Sequence, residues 1–258
     1  MSKELKHIEF TVEKDVAKIT LNRPPLNVMN IEMLTEMGTT LKSVQDMAEI
    51  KLLVINATGK AFSAGLDIKD HAPDKIEKLI SVFNRVFYLL NSFKIPTMSI
   101  VQGEGAFGGG CELATFCDIV IATEEAKFVQ PELKVGVIPP IAVITYQKKI
   151  GKHGAYEMLL TGKEHKATQA ARIGLISKAV TEDKMEAEVS RIIKRITSNS
   201  GIILKMTKQA MIKTADMNFD DAIKEVEKIY LKSLIKTQDT REGLNAFLEK
   251  RKPVWKNK

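Results

Sequence analysis

Two glutamates stand at positions where a carboxyl group could transfer protons. Glu112 falls in the first turn of a predicted helix, directly after Gly108-Gly109-Gly110 and among apolar neighbours. Glu132 follows Pro131 in a predicted loop that ends at Gly136. Two carboxyl groups beside hydrogen-bond donors for a carbonyl oxygen would suit proton transfer at a carbon next to a thioester. Spacing alone leaves two other interpretations open: Glu112 as a charge at a helix N-terminus, and Glu132 as a solvated loop acid.

Two turns rich in small residues could supply those donors. The first spans residues 62–67 and the second residues 103–110, and each is predicted to follow a strand and to open a helix. Backbone N–H groups at the start of a helix lack intrahelical partners, and the helix dipole favours negative charge there. Two such groups that converge on one atom would form an oxyanion hole, which stabilises an enolate. The alternative is that the glycines only turn the chain.

The segments around these turns alternate between strands and helices. A hairpin is predicted over residues 8–22, followed by strands at residues 52–56, 97–101, 118–122 and 126–129. Apolar residues at helical spacing predict helices over residues 30–48 and 74–92, and a short helix that begins at Cys111. Strands that alternate with helices indicate crossover connections and therefore an α/β fold.

The last quarter of the chain is predicted to be helical. Helices are expected over residues 185–199, 201–213 and 218–236, with a short one from Thr240 to Lys250. The polar stretch Ser198-Asn199-Ser200-Gly201 suits a boundary between two regions. We therefore expect residues 1–200 to form the core with the active site. Residues 201–258 are expected to pack as helices on this core or on another subunit.

Composition excludes several classes of protein. The apolar runs are too short to cross a bilayer, and the first residues carry no signal-peptide pattern. Cys111 and Cys117 are expected to be buried free thiols, which favours a reducing compartment such as the cytoplasm. No cysteine or histidine set has metal-ligand spacing, so no metal is expected. The net charge is +7, but the lysines are scattered through helical patterns, so a nucleic acid is not an expected partner.

Motifs along nearly the whole chain resemble the crotonase superfamily, the enoyl-CoA hydratases and isomerases. The motifs, in order, are residues 62–68 (FSAGLDI), 103–114 (GEGAFGGGCELA), 117–119 (CDI), 128–132 (FVQPE), 136–139 (GVIP), 160–162 (LTG), 170–176 (AARIGLI) and 247–251 (FLEKR). The resemblance implies a spiral of ββα units with a C-terminal helical trimerisation region, assembled as a trimer or a dimer of trimers. It also implies an acyl-CoA thioester as substrate and no cofactor.

The same resemblance implies roles for particular residues. The backbone N–H groups of Leu66 and Gly109 would form the oxyanion hole for the thioester oxygen. Glu112 would hold and deprotonate the water, and Glu132 would exchange the proton on carbon. Both glutamates are present, which favours hydration or dehydration, because isomerases and hydrolases of the superfamily typically lack one or both.

Four further residues match positions that contact coenzyme A in the superfamily. Ala64 and Ile68 match residues that line the adenine pocket. Phe247 and Lys250 resemble C-terminal residues that reach the coenzyme, often that of a neighbouring subunit.

One departure from ordinary hydratases bears on the substrate. Pro140 stands where those enzymes have a glycine whose N–H helps to hold the water, and proline has no N–H to donate. This feature, together with the stretch from Asp70 to Asp74 and the C-terminal run, resembles cyclohexa-1,5-diene-1-carbonyl-CoA hydratases of anaerobic aromatic degradation. Pro140 and Ile141 would then shape the pocket for a flat alicyclic ring.

Other readings of the chain remain open from the sequence. A broad short-chain enoyl-CoA hydratase, an enoyl-CoA isomerase and an RNA-binding homologue of the same superfamily are the alternatives. His71 could line the acyl pocket, although the sequence favours a surface histidine in a mobile loop. Asp67 is expected to cap the helix that follows it or to brace the turn.

Overall fold

The computed structural model describes residues 5–258, and the order of its elements is that of an α/β fold. The strands are β1 (Ile8–Glu13), β2 (Val16–Leu21), β3 (Leu52–Ala57), β4 (Thr97–Val101), β5 (Gly105–Phe107), β6 (Ile119–Thr123), β7 (Lys127–Val129), β8 (His165–Lys166) and β9 (Lys178–Val180). The helices are α1 (Ile31–Gln45), α2 (Ile76–Ser92), α3 (Gly109–Phe116), α4 (Ala142–Thr161), α5 (Ala167–Arg172), α6 (Glu182–Thr197), α7 (Gly201–Thr214), α8 (Phe219–Lys232) and α9 (Gln238–Leu248). Short 3-10 helices lie at Ile68–His71, Glu132–Val135 and Leu234–Lys236.

The strands form two sheets. The larger has the order β1-β2-β3-β4-β6-β9, in which β1 and β2 are an antiparallel hairpin and all other neighbours are parallel. The smaller has the order β5-β7-β8, with β5 parallel to β7. Parallel neighbours require crossover connections, which the helices provide. The predicted α/β fold with a helical C-terminal part is therefore confirmed.

The larger sheet is buried on both faces at its centre, as β3 shows. Leu53 and Ile55 point into the main core beneath α1 and α2, whereas Leu52 and Val54 belong to a second cluster that packs against α6. A strand covered on both faces has no polar face, which explains its continuous apolar run. Full burial of each such side chain contributes about 1.5–3 kcal/mol.

The predicted helices and strands agree closely with the structure where neighbouring residues in the sequence mark their ends. α1 begins at Ile31 because the side chain of Asn30 caps it and accepts a hydrogen bond from Met33 N at 2.9 Å. α3 begins at Gly109, two residues before the predicted start at Cys111. Glu132, predicted in a loop, begins a 3-10 helix.

The 20-residue helix α4 was not predicted from the sequence. Its backbone is broken at Gly151, where φ is 72° and ψ is 168°. The apolar positions on its two halves therefore do not share one helical period. α4 nevertheless packs its first turn and Tyr146 into the core beside the two glutamates.

The C-terminal helices α7, α8 and α9 leave many apolar side chains exposed. The most exposed are Met211, Phe219, Leu244, Phe247 and Leu248. Cys111 and Cys117 are both buried and unpaired, as expected. Among residues 5–258, no helix combines the length and apolar character that a membrane span requires.

Candidate active site

A cavity of about 530 Å³ lies where the two small-residue turns meet the loop before α4. It is lined by Ala64, Gly65, Leu66, Ile68, His71, Ile76, Ile80, Gly108, Gly109, Glu112, Pro131, Glu132, Val135, Gly136, Val137, Ile138 and Pro140. Apart from the two glutamates and one histidine, these side chains are apolar or absent. The cavity therefore brings the two carboxyl groups together inside an apolar enclosure.

Glu112 is almost fully buried and is held by the first turn of α4. Its Oε1 accepts hydrogen bonds from the backbone N–H groups of Ile141 and Ala142, both at 2.7 Å. Its Oε2 is buried and has no hydrogen-bond partner among the described residues. An unpartnered buried carboxyl oxygen at a cavity wall can accept a hydrogen bond from a bound molecule. Glu112 is thus more than a charge at the start of α3.

Glu132 is half-buried and lines the same cavity. It begins the 3-10 helix Glu132–Val135, and the carboxamide of Gln130 lies beside its carboxyl group. With the Gln130 nitrogen turned towards Glu132, it donates to Oε1 at 3.0 Å and to Oε2 at 3.1 Å. The interpretation of Glu132 as a solvated loop acid is therefore wrong.

Burial sets the proton affinity of both carboxyl groups. The pKa of Glu112 is raised to about 8, mainly by loss of solvation, while the Ala142 N–H opposes the shift and the charge of Glu132 adds to it. Burial likewise raises the pKa of Glu132 to about 7. Because the two groups interact, these values describe the pair. Near neutral pH the pair can hold one proton, so that one acid and one base are present. The higher pKa of Glu112 favours the proton there, and Glu112 acts as a base only in the form that carries the proton on Glu132.

Two residues that line the cavity, Leu66 and Gly109, have backbone N–H groups without a partner among residues 5–258. Leu66 follows the positive-φ residue Gly65, and Gly109 is the first residue of α3. Neither N–H finds an acceptor within the described part of the chain. A Cβ atom added at Gly65 would lie 3.6 Å from the Gly109 nitrogen, which shows how closely the two turns approach.

The approach of these turns depends on glycine at two positions. A Cβ atom at Gly110 would lie 2.5 Å from Cβ of Ser63, so α3 could not pack against the first turn with any larger residue there. Gly108 has a φ of 52°, and a Cβ atom there would lie 2.9 Å from Oε1 of Glu132. The glycines therefore do more than turn the chain, since they allow backbone and carboxylate to share one small space.

The 3-10 helix Ile68–His71 forms another wall of the cavity. Asp67 caps it by accepting from Lys69 N at 3.1 Å, and it also lies 3.3 Å from the guanidinium group of Arg23. The expectation that Asp67 caps this element is confirmed. His71 lines the cavity, with Nδ1 3.0 Å from the backbone oxygen of Asp67. The sequence interpretation of His71 as a surface residue in a mobile loop is wrong, because its ring is held against the turn.

The structure separates the two residues expected to shape the acyl pocket. Pro140 lines the cavity, but the side chain of Ile141 packs against the hydrophobic core. The Ile141 side chain does not line the cavity, and its role in shaping the pocket stays a prediction. The physical reason for this placement is that Ile141 precedes the first turn of α4 and directs its N–H, not its side chain, towards Glu112.

The coenzyme-contact residues also divide into two groups. Ala64 and Ile68 line the cavity near its mouth, and the side chain of Ile68 is 63% exposed. Phe247 and Lys250 lie outside the cavity at the end of α9, and Phe247 is 83% exposed. Within one subunit the second pair does not contribute to the site.

Sequence reasoning missed Gln130 and Tyr146. Both are buried, and the carboxamide of Gln130 is within 2.8 Å of the Tyr146 hydroxyl. The signal for Gln130 was its position two residues before Glu132. Tyr146 carried no such signal because it lies in the helix that was not predicted.

Comparison with known proteins gives this fold and site a family. A family model described as enoyl-CoA hydratase/isomerase matches residues 11–258. The chain therefore belongs to the enoyl-CoA hydratase/isomerase family. A probable mitochondrial enoyl-CoA hydratase of Dictyostelium discoideum is 36% identical over 96% of this chain and 91% of its own length. A short-chain-enoyl-CoA hydratase of Clostridium acetobutylicum is 32% identical over 96% of this chain and 97% of its own.

Solved structures agree with this assignment. The enoyl-CoA hydratase of Bacillus anthracis has a TM-score of 0.92 at 27% identity and covers 98% of this chain and 100% of its own. DspI of Pseudomonas aeruginosa has a TM-score of 0.92 at 28% identity, with 99% of each chain covered. The crotonase resemblance is confirmed, as is the prediction of an enzyme of the hydro-lyase class.

Proposed function

We propose that this protein adds water to an α,β-unsaturated acyl-CoA thioester by acid/base catalysis with Glu112 and Glu132. The observation that carries the proposal is the meeting of one buried and one half-buried carboxyl group with two unpaired backbone N–H groups at one apolar cavity. The names of the relatives, enoyl-CoA hydratases, support the same reaction. The CoA thioester is the substrate, and the reaction needs no cofactor.

In this mechanism the backbone N–H groups of Leu66 and Gly109 bind the thioester oxygen and stabilise the enolate. Glu112 keeps Oε1 on the α4 backbone, so its free Oε2 can hold the water and take its proton as the oxygen bonds to the β-carbon. Glu132 then gives a proton to the α-carbon. Glu112 gains a proton from the water and Glu132 loses one to carbon, so a proton must pass from Glu112 back to Glu132, directly or through solvent, before the next turnover.

We further propose that the acyl group is a cyclic diene, cyclohexa-1,5-diene-1-carbonyl-CoA, formed in anaerobic degradation of aromatic acids. The support is the cavity wall. Pro140 offers no N–H to a water, and Ile76, Ile80, Val137 and Ile138 add apolar surface. The neighbouring N–H groups of Ile141 and Ala142 are taken by Glu112, so water is held by carboxyl groups and not by this loop.

The experiment is turnover of that dienoyl-CoA beside crotonyl-CoA, with each product identified by mass and retention time. We expect a product about 18 mass units heavier than the dienoyl-CoA, and we expect the dienoyl-CoA to be hydrated faster than crotonyl-CoA. Equal or faster turnover of crotonyl-CoA would contradict the cyclic substrate while leaving hydration in place. No hydration of either substrate would contradict the proposed function itself.

A short-chain linear enoyl-CoA is the second candidate substrate. The Clostridium acetobutylicum relative is named a short-chain-enoyl-CoA hydratase, and it matches nearly all of this chain. The family description also includes isomerases. An isomerase would move the double bond of a 3-enoyl-CoA without adding water, so product mass separates the two activities.

We also propose that residues 201–258 form an oligomerisation region, with residues 1–200 as the catalytic core, in a trimer or a dimer of trimers. The exposed apolar side chains of α7, α8 and α9 support this assembly, because monomers rarely expose so much apolar surface. Phe247 and Lys250 would then reach coenzyme A bound to a neighbouring subunit. The two free buried cysteines are consistent with the cytoplasmic location that we propose.

A further inference from the structure

A chain of buried hydrogen bonds runs from Glu132 into the core. Gln130 is 1% exposed, and its carboxamide bridges two groups: the Glu132 carboxyl group at 3.0 and 3.1 Å and the Tyr146 hydroxyl at 2.8 Å. Tyr146 is fully buried on α4. No water is needed to complete this contact, since each end of the amide lies within hydrogen-bond distance of its neighbour.

The hydroxyl of Tyr146 is itself held by α3. It lies 3.1 Å from Thr115 Oγ1 and 3.3 Å from Cys111 Sγ, and both residues are buried. Thr115 Oγ1 donates to the backbone oxygen of Cys111 at 2.7 Å, which leaves its lone pairs free to accept from Tyr146. A tyrosine hydroxyl with several partners on a rigid helix has little freedom to move.

We propose that Tyr146 is a positioning residue for Glu132 and acts through the side chain of Gln130. The proposal rests on the function proposed above, in which Glu132 exchanges the proton on the α-carbon. Tyr146 does not line the cavity, so its hydroxyl reaches Glu132 through the amide of Gln130.

The hydrogen bonds can be satisfied in both protonation states of Glu132. When Glu132 is ionised, the Gln130 nitrogen donates to it and the Gln130 oxygen accepts from Tyr146. When Glu132 is protonated, the amide turns over: its oxygen accepts from Glu132, and its nitrogen donates to the Tyr146 oxygen. Tyr146 then donates to Thr115. A hydroxyl can both donate and accept, which is why tyrosine can serve both states and phenylalanine neither.

Removal of the hydroxyl affects the two states unequally. In Tyr146→Phe, either the oxygen or the nitrogen of the Gln130 amide must face the apolar phenylalanine ring without a hydrogen-bond partner. A buried N–H group without an acceptor is rarer than an under-satisfied carbonyl oxygen. The amide will therefore keep its nitrogen on Glu132, which favours the ionised carboxyl group and lowers the pKa of Glu132.

The test compares Tyr146→Phe with Tyr156→Phe, which removes the same atom from a 47%-exposed tyrosine of the same helix. With an enoyl-CoA substrate, we expect Tyr146→Phe to lower kcat about threefold at pH 8 and to leave KM within about twofold. The alkaline limb of its pH profile should move towards acid by about half a unit. Tyr156→Phe should match the unmodified protein.

A second readout does not require turnover. The carboxyl carbon of Glu132 is followed by NMR in protein labelled with carbon-13 glutamate, and its signal is assigned by its absence in Glu132→Gln. The other titratable groups facing Glu132 are Glu112 and Cys111 on α3, Tyr146 on α4 and His71 across the cavity. The Glu112 signal is assigned in the same way from Glu112→Gln, so the titration of Glu112 is distinguished from that of Glu132.

The outcomes separate the two proposals. A lower midpoint for Glu132 in Tyr146→Phe, with unfolding free energy close to that of Tyr156→Phe, supports positioning by Tyr146. An unchanged Glu132 titration overturns it, as does a fall in kcat that is matched only by a loss of stability. Absence of enoyl-CoA hydration by the unmodified protein overturns the proposed function instead, and the NMR titration still decides the role of Tyr146.

Discussion

Glu112 and Glu132 differ in what holds them, and this difference fits two roles. Glu112 is fixed by backbone N–H groups at one oxygen, and its other oxygen is buried without a hydrogen-bond partner among the described residues. Glu132 is contacted by an amide that can donate or accept. A water-holding base needs a fixed orientation, and a group that gives and regains a carbon proton needs support in both states.

The pH dependence of activity follows from the paired carboxyl groups. Below about pH 7 both are protonated and no base remains, whereas above about pH 8 both are ionised and no acid remains. We therefore expect kcat/KM to follow a bell with its maximum between about pH 7 and pH 8. Initial rates measured from pH 5.5 to pH 9.5 test this, and a flat profile across that range would contradict it.

Burial of Glu112 should also cost stability at alkaline pH. Its pKa is raised from 4.5 to about 8, so the folded state binds this proton more tightly than the unfolded state. The unfolding free energy therefore falls as the pH rises from about 4.5 to about 8. Glu112→Gln removes the titration and should be more stable than the unmodified protein by about 3 kcal/mol at pH 8, with little difference at pH 5.

Urea unfolding at both pH values and one protein concentration measures this effect. The control is Glu77→Gln, which changes an exposed carboxyl group in the first turn of α2 and should alter stability by less than about 1 kcal/mol at either pH. Equal stability of Glu112→Gln and the unmodified protein at pH 8 would contradict a raised pKa of Glu112 in the folded state.

At the scale of elements, the site depends on how closely α3 approaches its neighbours. Its first turn supplies Gly109 and Glu112, and its packing requires glycine at Gly108 and Gly110. The start of α4 holds Glu112 with its backbone N–H groups, and Tyr146 of α4 contacts the side chain of Gln130. Two helices thus position both carboxyl groups, although the glutamates are 20 residues apart in the sequence.

Gly108→Ala tests this dependence on close packing. The alanine would have to adopt a φ of 52°, and its Cβ would lie 2.9 Å from Oε1 of Glu132. We expect kcat/KM to fall at least about tenfold because the carboxyl group must move, a loss of about 1.4 kcal/mol in transition-state stabilisation. Gly151→Ala is the matched control, since its φ is 72° and nothing lies within 4 Å of its new Cβ.

Both alanine variants should lose about 1–2 kcal/mol of stability from the left-handed conformation. Only Gly108→Ala should also lower kcat/KM, because only there does the new Cβ displace the carboxyl group of Glu132. If Gly151→Ala loses as much activity, strain and not the contact with Glu132 explains the result.

Local signals explain which elements the sequence could predict. The hairpin, β4 and the capped helix α1 depend on alternation, apolar runs and Asn30, all of which are visible in short windows. α4 could not be predicted because its break at Gly151 interrupts the helical period. Gln130 and Tyr146 were missed for another reason, since only tertiary packing brings them beside Glu132. The two glutamates themselves were found by resemblance, because spacing alone did not separate catalytic from solvated carboxyl groups.

At the scale of the whole molecule, the unpaired apolar face of α7, α8 and α9 is the main feature left to explain. We expect light scattering coupled to gel filtration to give a mass of three or six times 28.8 kDa. A monomer at micromolar concentration would contradict an oligomerisation region in residues 201–258.

The position of Phe247 makes a kinetic prediction for that assembly. If its ring contacts coenzyme A on a neighbouring subunit, Phe247→Ala should raise KM about tenfold and leave kcat nearly unchanged. The control is Tyr88→Ala, an exposed aromatic residue on α2 outside the C-terminal helices. An unchanged KM in steady-state kinetics with Phe247→Ala would remove Phe247 from the binding site.

The central claim is that two carboxyl groups divide the proton transfers of a hydration reaction. The most direct measurement is kcat/KM for enoyl-CoA hydration by the unmodified protein, Glu112→Gln, Glu132→Gln and the control Glu77→Gln. We predict that each active-site substitution lowers kcat/KM by at least about a hundredfold and that the control does not. Retention of near-normal hydration by either active-site variant would contradict the two-glutamate mechanism.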